Sequence, residues 1–209
     1  MIDPYKITDF NRTTPQLEEF LIFCIMVAGK NAKSIAKITD SFLFDNEYAD
    51  QGYSPFEIIT RMISNNKLDH YMKRSRTGKY RLLTKAFNYL HSSTIDLRTC
   101  SVDELEKIPG VGRKTSRFFV VHSRPNQKYA VLDTHVVKWL THIGYEETRL
   151  FPKNYLDLEQ IFIREAELRI MTVADLDLKI WSRFSSRNLT NIVIPFPNMK
   201  LKGSVYDIV

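Results

Sequence analysis

The sequence predicts an all-α protein, and three observations predict it. Apolar residues recur at three- and four-residue intervals through most of the 209 residues. Helix-start signals (Thr14-Pro15, Ser54-Pro55, Ser101 with Glu104) sit where those periodic runs begin. Alternation of apolar and polar residues never persists long enough to demand a sheet, except at Ile192-Val193-Ile194. There Pro195 and Pro197 restrict the segment to an edge strand or an extended tail.

Taken in order, Thr14-Pro15 opens a helix over 15–29 that places Leu17, Phe20, Leu21, Cys24, Ile25 and Ala28 at helical intervals. A second, over 31–44, turns Ile35, Ile38 and Phe42 inward, with Lys30, Lys33 and Lys37 along another side. Ser54-Pro55 starts a third through Ile58, Ile59, Met62 and Ile63. Residues 79–92 form a fourth, with Leu82, Leu83, Ala86, Phe87 and Leu90 on one face. Between these two the stretch Lys73-Arg74-Ser75-Arg76-Thr77-Gly78-Lys79-Tyr80-Arg81 reads as a basic loop, in which Gly78 permits a turn. A short helix capped by Ser101 and Glu104 then runs into Ile108-Pro109-Gly110-Val111-Gly112, and Arg113-Lys114-Thr115 begins the next helix. Asp133 opens another helix after Tyr129-Ala130-Val131-Leu132 and can cap its N-terminus. Two more are predicted at 155–171 and 173–183. Trp139, Phe118 and Phe119 read as core, and Asp175 and Asp177 as charges at a helix N-terminus.

Hydrophobic residues make up 44% of the chain, enough for one good core or two small lobes sharing a cleft. A net charge of +6 and an isoelectric point near 9.2 suit a polyanionic partner. Cys24 and Cys100 are too few for an iron–sulfur cluster or a zinc site built of cysteines, and the five histidines lack metal-ligand spacing. No metal is expected. The longest apolar run, Leu21 to Ala28, cannot cross a bilayer, and the N-terminus carries no signal-peptide pattern. An intracellular protein, cytoplasmic or nuclear and without a membrane partner, is the expectation.

The hairpin is where chemistry concentrates. Pro109 lacks a backbone N–H, and Gly110 and Gly112 tolerate positive φ, so the chain can reverse tightly between two helices. The first amides of the second helix then form a seat for a phosphate. Lys114 stands beside that seat, and Asp133 follows nineteen residues later in Val131-Leu132-Asp133-Thr134-His135-Val136. A lysine next to a phosphate and a carboxylate one helix away suit chemistry on a sugar in DNA. Lys114 could equally serve only as a phosphate contact, and Asp133 only as a helix cap.

Residues 105–139 resemble the helix-hairpin-helix DNA glycosylase superfamily: a hydrophobic-Pro-Gly-Val-Gly hairpin, then a lysine, then an aspartate near the start of a later helix. The resemblance implies an all-helical, two-lobed fold with a cleft between lobes. Residues 1–30 and 135–209 would form one lobe, and 31–134, with the hairpin at 101–120, the other. It implies that Lys114 attacks C1′ of a nucleotide, displaces the base and forms a Schiff base, while Asp133 stabilises charge developing on the sugar. DNA contacts would come from Pro109, Gly110, Val111, Gly112, Arg113 and Thr115, and from Arg74, Arg76 and Lys79 in the basic loop. Asn31, or failing it Lys30, falls where relatives insert a side chain into the gap left by a flipped base. Trp181 is a candidate platform for that base, or else a core residue.

The implied activity is a glycosylase with lyase function on lesion-bearing duplex DNA, working as a monomer and needing no cofactor. The Lys114-to-Asp133 spacing and the missing cluster point first to an oxidised purine such as 8-oxoguanine, and Asp133-Thr134-His135 second to an oxidised pyrimidine. Base modification outside repair, or a non-catalytic DNA-binding module, are the alternatives.

Overall fold

In the computed structural model, which describes residues 2–145 and 154–185, every regular element is helical. In chain order the helices are α1 (Thr14–Val27), α2 (Ala32–Phe44), α3 (Pro55–Ser64), α4 (Leu68–Arg74) and α5 (Tyr80–Ser92). They continue with α6 (Val102–Glu106), α7 (Arg113–Ser123), α8 (Thr134–His142), α9 (Tyr155–Leu168) and α10 (Val173–Ser185). A turn of 3₁₀ helix at Ala49–Gln51 links α2 to α3. No helix among the described residues is long and apolar enough to cross a membrane. Ile192-Val193-Ile194 lies outside the described residues.

The starts follow the chemistry read from the sequence. Ser54 and Glu57 close a reciprocal capping box at α3, and Ser101 and Glu104 do the same at α6. At α1 the cap is one residue earlier than expected: the Thr13 N–H donates to Gln16 Oε1 at 2.8 Å. The helix at 155–171 ends instead at Leu168, because the chain turns through Ile170 at φ +53°.

The basic segment at 73–81 is less of a loop than expected. Lys73 and Arg74 are the last turn of α4, a seven-residue helix that the periodicity did not reveal. Lys67 precedes it without a side-chain cap, so the sequence carried no start signal there. Leu68, Tyr71 and Met72 nonetheless bury its inner face.

Packing is organised around α1. From Leu17 to Met26 this helix is buried all round, as befits one surrounded by others rather than lying on a surface. Phe20 stacks on Phe119 of α7 with ring centroids 5.5 Å apart, and the Arg12 guanidinium covers its ring at 4.1 Å. The apolar core divides into two clusters. One joins α1–α6 and α7 as far as Val120; the other runs from Val121 through Ala130–Leu132 to α8, α9 and α10. Phe118 and Tyr129 pack against both. The grouping of residues 1–30 with 135–209 places α1 beside α8–α10, whereas its apolar packing is with α2, α3 and α7.

A buried polar network fastens the two clusters together. Arg117 on α7 donates through Nε to Glu159 Oε1 of α9 at 2.7 Å and through Nη1 to Glu106 Oε1 of α6 at 2.8 Å. The same Glu159 oxygen accepts the Ala130 N–H at 2.9 Å, and Tyr155 Oη donates to the Ala130 carbonyl at 2.9 Å. Removing one partner of such a pair leaves a buried charge uncompensated. Arg117→Leu should therefore lower unfolding free energy by about 3–5 kcal/mol in urea titrations. A loss under ~1 kcal/mol would show that solvent reaches Glu159 once the arginine is gone.

Candidate functional site

The hairpin geometry follows from one glycine. Gly110 sits at φ +87°, and a Cβ built there would lie 2.8 Å from the Leu82 side chain of α5. Both facts make any other residue strained there, and Leu82 packs against the turn. Gly112 differs from expectation. Its φ of −104° and ψ of −179° are extended backbone, and a Cβ would meet nothing within 4 Å. It is glycine at the N-cap of α7, where it leaves open the approach to the helix N-terminus.

The amides of the hairpin are not all available. The Val111 N–H donates to the Ile108 carbonyl at 3.0 Å and the Thr115 N–H to that of Gly112 at 2.9 Å. Thr115, expected to contact DNA, also has a buried side chain. Val111, likewise buried, braces the turn instead of presenting its amide. Among the described residues, the N–H groups of Gly110, Gly112 and Lys114 have no protein acceptor. Pro109 is half-buried and shapes the turn, while Arg113 is exposed at the start of α7.

A cavity of about 470 Å³ opens at the seam between the two apolar clusters, within the ~300–1,000 Å³ typical of small-molecule sites. Lys114 and Asp133 both line it. They share the wall with Lys30 and Asn31 from the turn between α1 and α2, with Phe118 of α7, and with Asp177 and Trp181 of α10. Residues 30, 31, 114, 133 and 181, scattered along the sequence, thus meet in one space.

Each wall residue is held by local structure. Asp133 is the N-cap of α8: its Oδ1 accepts the His135 and Val136 N–H groups at 2.8 and 2.9 Å. The Lys114 ammonium lies 5.6 Å from the centroid of the Phe118 ring one turn along α7. Trp181 is half-buried and meets Tyr5 edge-on at 5.3 Å, so its ring is a cavity wall and not sealed core. Phe118, assigned to the core from the sequence, is likewise half-buried and faces the cavity.

Next to the cavity, the α1–α2 turn and the segment after α4 are laced together by two lysines. Lys30 Nζ donates to the Thr77 carbonyl at 2.5 Å, and Lys79 Nζ donates to the Ala28 carbonyl. Lys79 is held below the ordinary lysine range by burial, and then by the charges of Lys30 and Lys114. Lys30 and Lys79 are thus internal struts that also concentrate positive charge beside the cavity. Asn31 is exposed and caps α2, its Oδ1 accepting the Ser34 N–H at 3.0 Å. Arg74 and Arg76 are exposed, the latter at φ +55°.

The largest departure is Asp177. Asp175 does stand in the first turn of α10, its N–H donating to the Oγ1 of the capping Thr172 at 3.1 Å, but Asp177 is buried and lines the cavity. Its Oδ2 lies 3.0 Å from Nε2 of the fully buried His122. Burial raises its pKa above the ordinary aspartate value, against the lowering effect of the His122 contact. The available signal was angular: at 100° per residue, Asp177 sits about 200° around the helix from Asp175. Among the described residues, no group of three or more His, Cys, Asp or Glu side chains is placed to hold a metal ion.

The two hairpin glycines make different predictions. Gly110→Ser must place a side chain at positive φ against Leu82, and should cost roughly 1–3 kcal/mol of stability together with DNA binding. Gly112→Ser puts a favoured N-cap residue on unstrained backbone, so its melting temperature should equal or exceed that of wild type. Paired thermal melts and DNA titrations check both. Equal melting of the two variants would mean that Leu82 yields and that Gly110 is not the constraint.

Residues 93–116 match the model of the helix-hairpin-helix motif. No solved structure matches the chain. The match covers α6, the turn and the first residues of α7, which places Gly110, Gly112 and Lys114 inside the motif. The protein therefore carries a helix-hairpin-helix motif on an all-helical body, and the motif points to DNA binding.

Proposed function

We propose that the protein is a DNA glycosylase with associated lyase activity, taking a modified base from duplex DNA into the cavity between its two apolar clusters. One observation carries this reading: Lys114, on the hairpin helix, and Asp133, the cap of α8, line the same cavity. A helix-hairpin-helix that only bound DNA would have no use for a base-sized space behind its lysine. The hairpin amides would grip a phosphate and fix the register of the duplex without reading its sequence. The target nucleotide would then swing out of the stack and into the cavity.

The chemistry balances with the groups of the chain alone. The uncharged Lys114 amine attacks C1′, the C1′–N bond breaks, and its electron pair leaves with the base. The sugar ring then opens as Nζ passes a proton to O4′ and the imine forms. β-Elimination moves a proton from C2′ to the imine nitrogen and breaks the C3′–O bond, whose electron pair leaves with the 3′ phosphate. The carboxylate of Asp133 offsets positive charge on the sugar at the first step. An oxidised purine is the first choice of base on resemblance alone, since the Lys114-to-Asp133 spacing is similar to that of the 8-oxoguanine glycosylases. Asn31, exposed beside the cavity, is the side chain suited to fill the gap that the flipped nucleotide leaves in the duplex.

Borohydride tests the nucleophile. It should reduce the imine and join wild-type protein covalently to duplexes carrying an intact modified base, offered as a panel of oxidised purines and pyrimidines. Lys114→Gln should bind those duplexes with little loss yet yield no adduct. Robust trapping by Lys114→Gln would move the nucleophile elsewhere. Binding without base release or trapping in the wild type would leave a non-catalytic DNA-binding module.

Salt dependence tests the interface. Arg74 and Arg76 are exposed cations with no structural partner among the described bonds, so each should contribute one phosphate contact. Replacing both with alanine should flatten the slope of log affinity against log salt by about 2. An unchanged slope would remove this segment from the DNA-binding surface.

A further inference from the structure

A buried acid–base pair in the cavity wall has no part in the chemistry above. His122 is fully buried, with Nδ1 2.8 Å from Thr8 Oγ1 and Nε2 3.0 Å from Asp177 Oδ2. Asp177 is only 6% exposed, and that exposure is to the cavity shared with Lys114, Asp133 and Trp181. Lys114, Phe118 and His122 follow one another at four-residue steps, so they lie along one face of α7. Phe118 is packed between them, 5.6 Å from the lysine ammonium and edge-on to the His122 ring at 4.9 Å. A single helix face thus leads from the amine to the pair.

The two aspartates of the cavity stand in different surroundings. Asp133 is occupied as a helix cap by two backbone N–H groups. Asp177 has a histidine as its partner and a dry setting, in which a carboxyl holds its proton more tightly than in water. Two carboxyls set apart in this way take different roles in acid–base catalysis. Breaking a C1′–N bond leaves an electron pair on a ring nitrogen, and a proton delivered there makes the base a better leaving group.

We propose that Asp177 and His122 form the general acid of the site: Asp177 delivers a proton to the departing base, and His122, anchored by Thr8, positions and recharges it. This rests on the glycosylase reading above. The proton passes from the pair to the base nitrogen as the C1′–N bond breaks; of the two protons that Nζ carries after its attack, one returns to the pair and the other goes to O4′ as the ring opens. Asp177 is then the catalytic residue and His122 the positioning residue.

The charges around the pair fix the sign of its pH dependence. Lys114 on α7 draws the Asp177 carboxyl towards ionisation, while Asp133 before α8 opposes that. Lys30 and His135 face the same cavity, and Arg12 donates to the His122 carbonyl at 2.8 Å. The pair acts only while it holds a proton, so base release should fall as pH rises past the point where that proton is lost.

Single-turnover assays on two duplexes separate this role from others. One carries the modified base that wild type releases; the other carries a preformed abasic site, whose aldehyde has no base to protonate. Asp177→Asn should slow base release by about 10²-fold or more while leaving borohydride trapping on the abasic duplex unchanged. His122→Gln keeps a donor towards Asp177 but cannot relay a proton, and should slow release while displacing the alkaline limb. Thr8→Val, the mildest change, should move the same limb with little effect on folding, and so reports on the pair even if a buried substitution unfolds the chain. Undiminished release in Asp177→Asn overturns the proposal. So does an equal loss on both duplexes, or an alkaline limb indifferent to His122→Gln and Thr8→Val. A wild type that releases no base yet is trapped on abasic DNA would also overturn it, leaving a lyase alone. A wild type inactive on both duplexes would instead bring down the glycosylase reading and this proposal with it.

Discussion

The structure depends on Arg117. Its guanidinium is buried between Glu106 and Glu159, and through Glu159 it is tied to the Ala130 amide. α6 and α7, the two arms of the hairpin, are thereby fixed to α9 and to the strand-like stretch that ends at Asp133. Lys114 stands three residues before Arg117, and Asp133 three residues after Ala130. A short rigid lever on either side therefore sets where the lysine and the carboxylate meet. Burying an arginine and the Glu159 carboxylate, with Glu106 half-buried beside them, costs several kcal/mol per buried ion in desolvation, recovered only when geometry and hydrogen bonding are good. The planar fork of arginine, with its Nε and Nη1 each on a different carboxylate, meets that requirement; a lysine could not. The Tyr155 ring over the guanidinium at 5.0 Å adds a further contact and anchors the Ala130 carbonyl through its hydroxyl.

That arrangement changes the meaning of the chain's positive charge. A net +6 suggests a surface coated for DNA. Arg117, Lys30 and Lys79 instead point inward, neutralising carboxylates or donating to carbonyls. Lys73 is exposed but paired with Asp69 at 2.7 Å. Arg74 and Arg76 remain on the surface at the end of α4, on the segment that the two lysine struts lace to the cavity turn. The useful quantity is consequently where the cations sit. The hairpin contributes backbone amides, which carry no side-chain entropy and need no counter-charge.

Much of the fold was legible because helices write their rules locally. Apolar spacing, cap residues and the hairpin turn together marked nine of the ten α-helices among the described residues, and Ser54, Ser101 and Asp133 marked starts with side chains that reach their own backbone. α4 escaped because seven residues without a side-chain cap carry less than two turns of pattern. The packing partners of α1 are decided by shape over long range: a helix buried on every side gives no direction to its packing. Lys114, Asp133, Asn31 and Trp181 could be named from motif and spacing, and all prove to share one cavity. Thr115 could not be judged, since the residue after a lysine at a helix start faces core or solvent according to what packs above it. Asp177 was hidden for the same reason. On paper it is a second acid at a helix N-terminus, and only the arrival of α7 with His122 gives it a partner.

The position of the cavity follows from these constraints together. Two apolar clusters can be sealed against each other only where their surfaces match, and at the seam they do not match completely. Helix ends and polar side chains collect there, because neither cluster can bury them: the cap of α8, the turn after α1, the start of α7. At that seam a lysine, two aspartates and aromatic walls coexist, with Asp133 satisfied by two backbone N–H groups and Asp177 by His122. The Arg117 network spans that seam, its guanidinium holding Glu106 of α6 and Glu159 of α9 at once. The same bonds therefore position both the helix that carries Lys114 and, through Ala130, the segment that leads to Asp133 on the walls of one cavity.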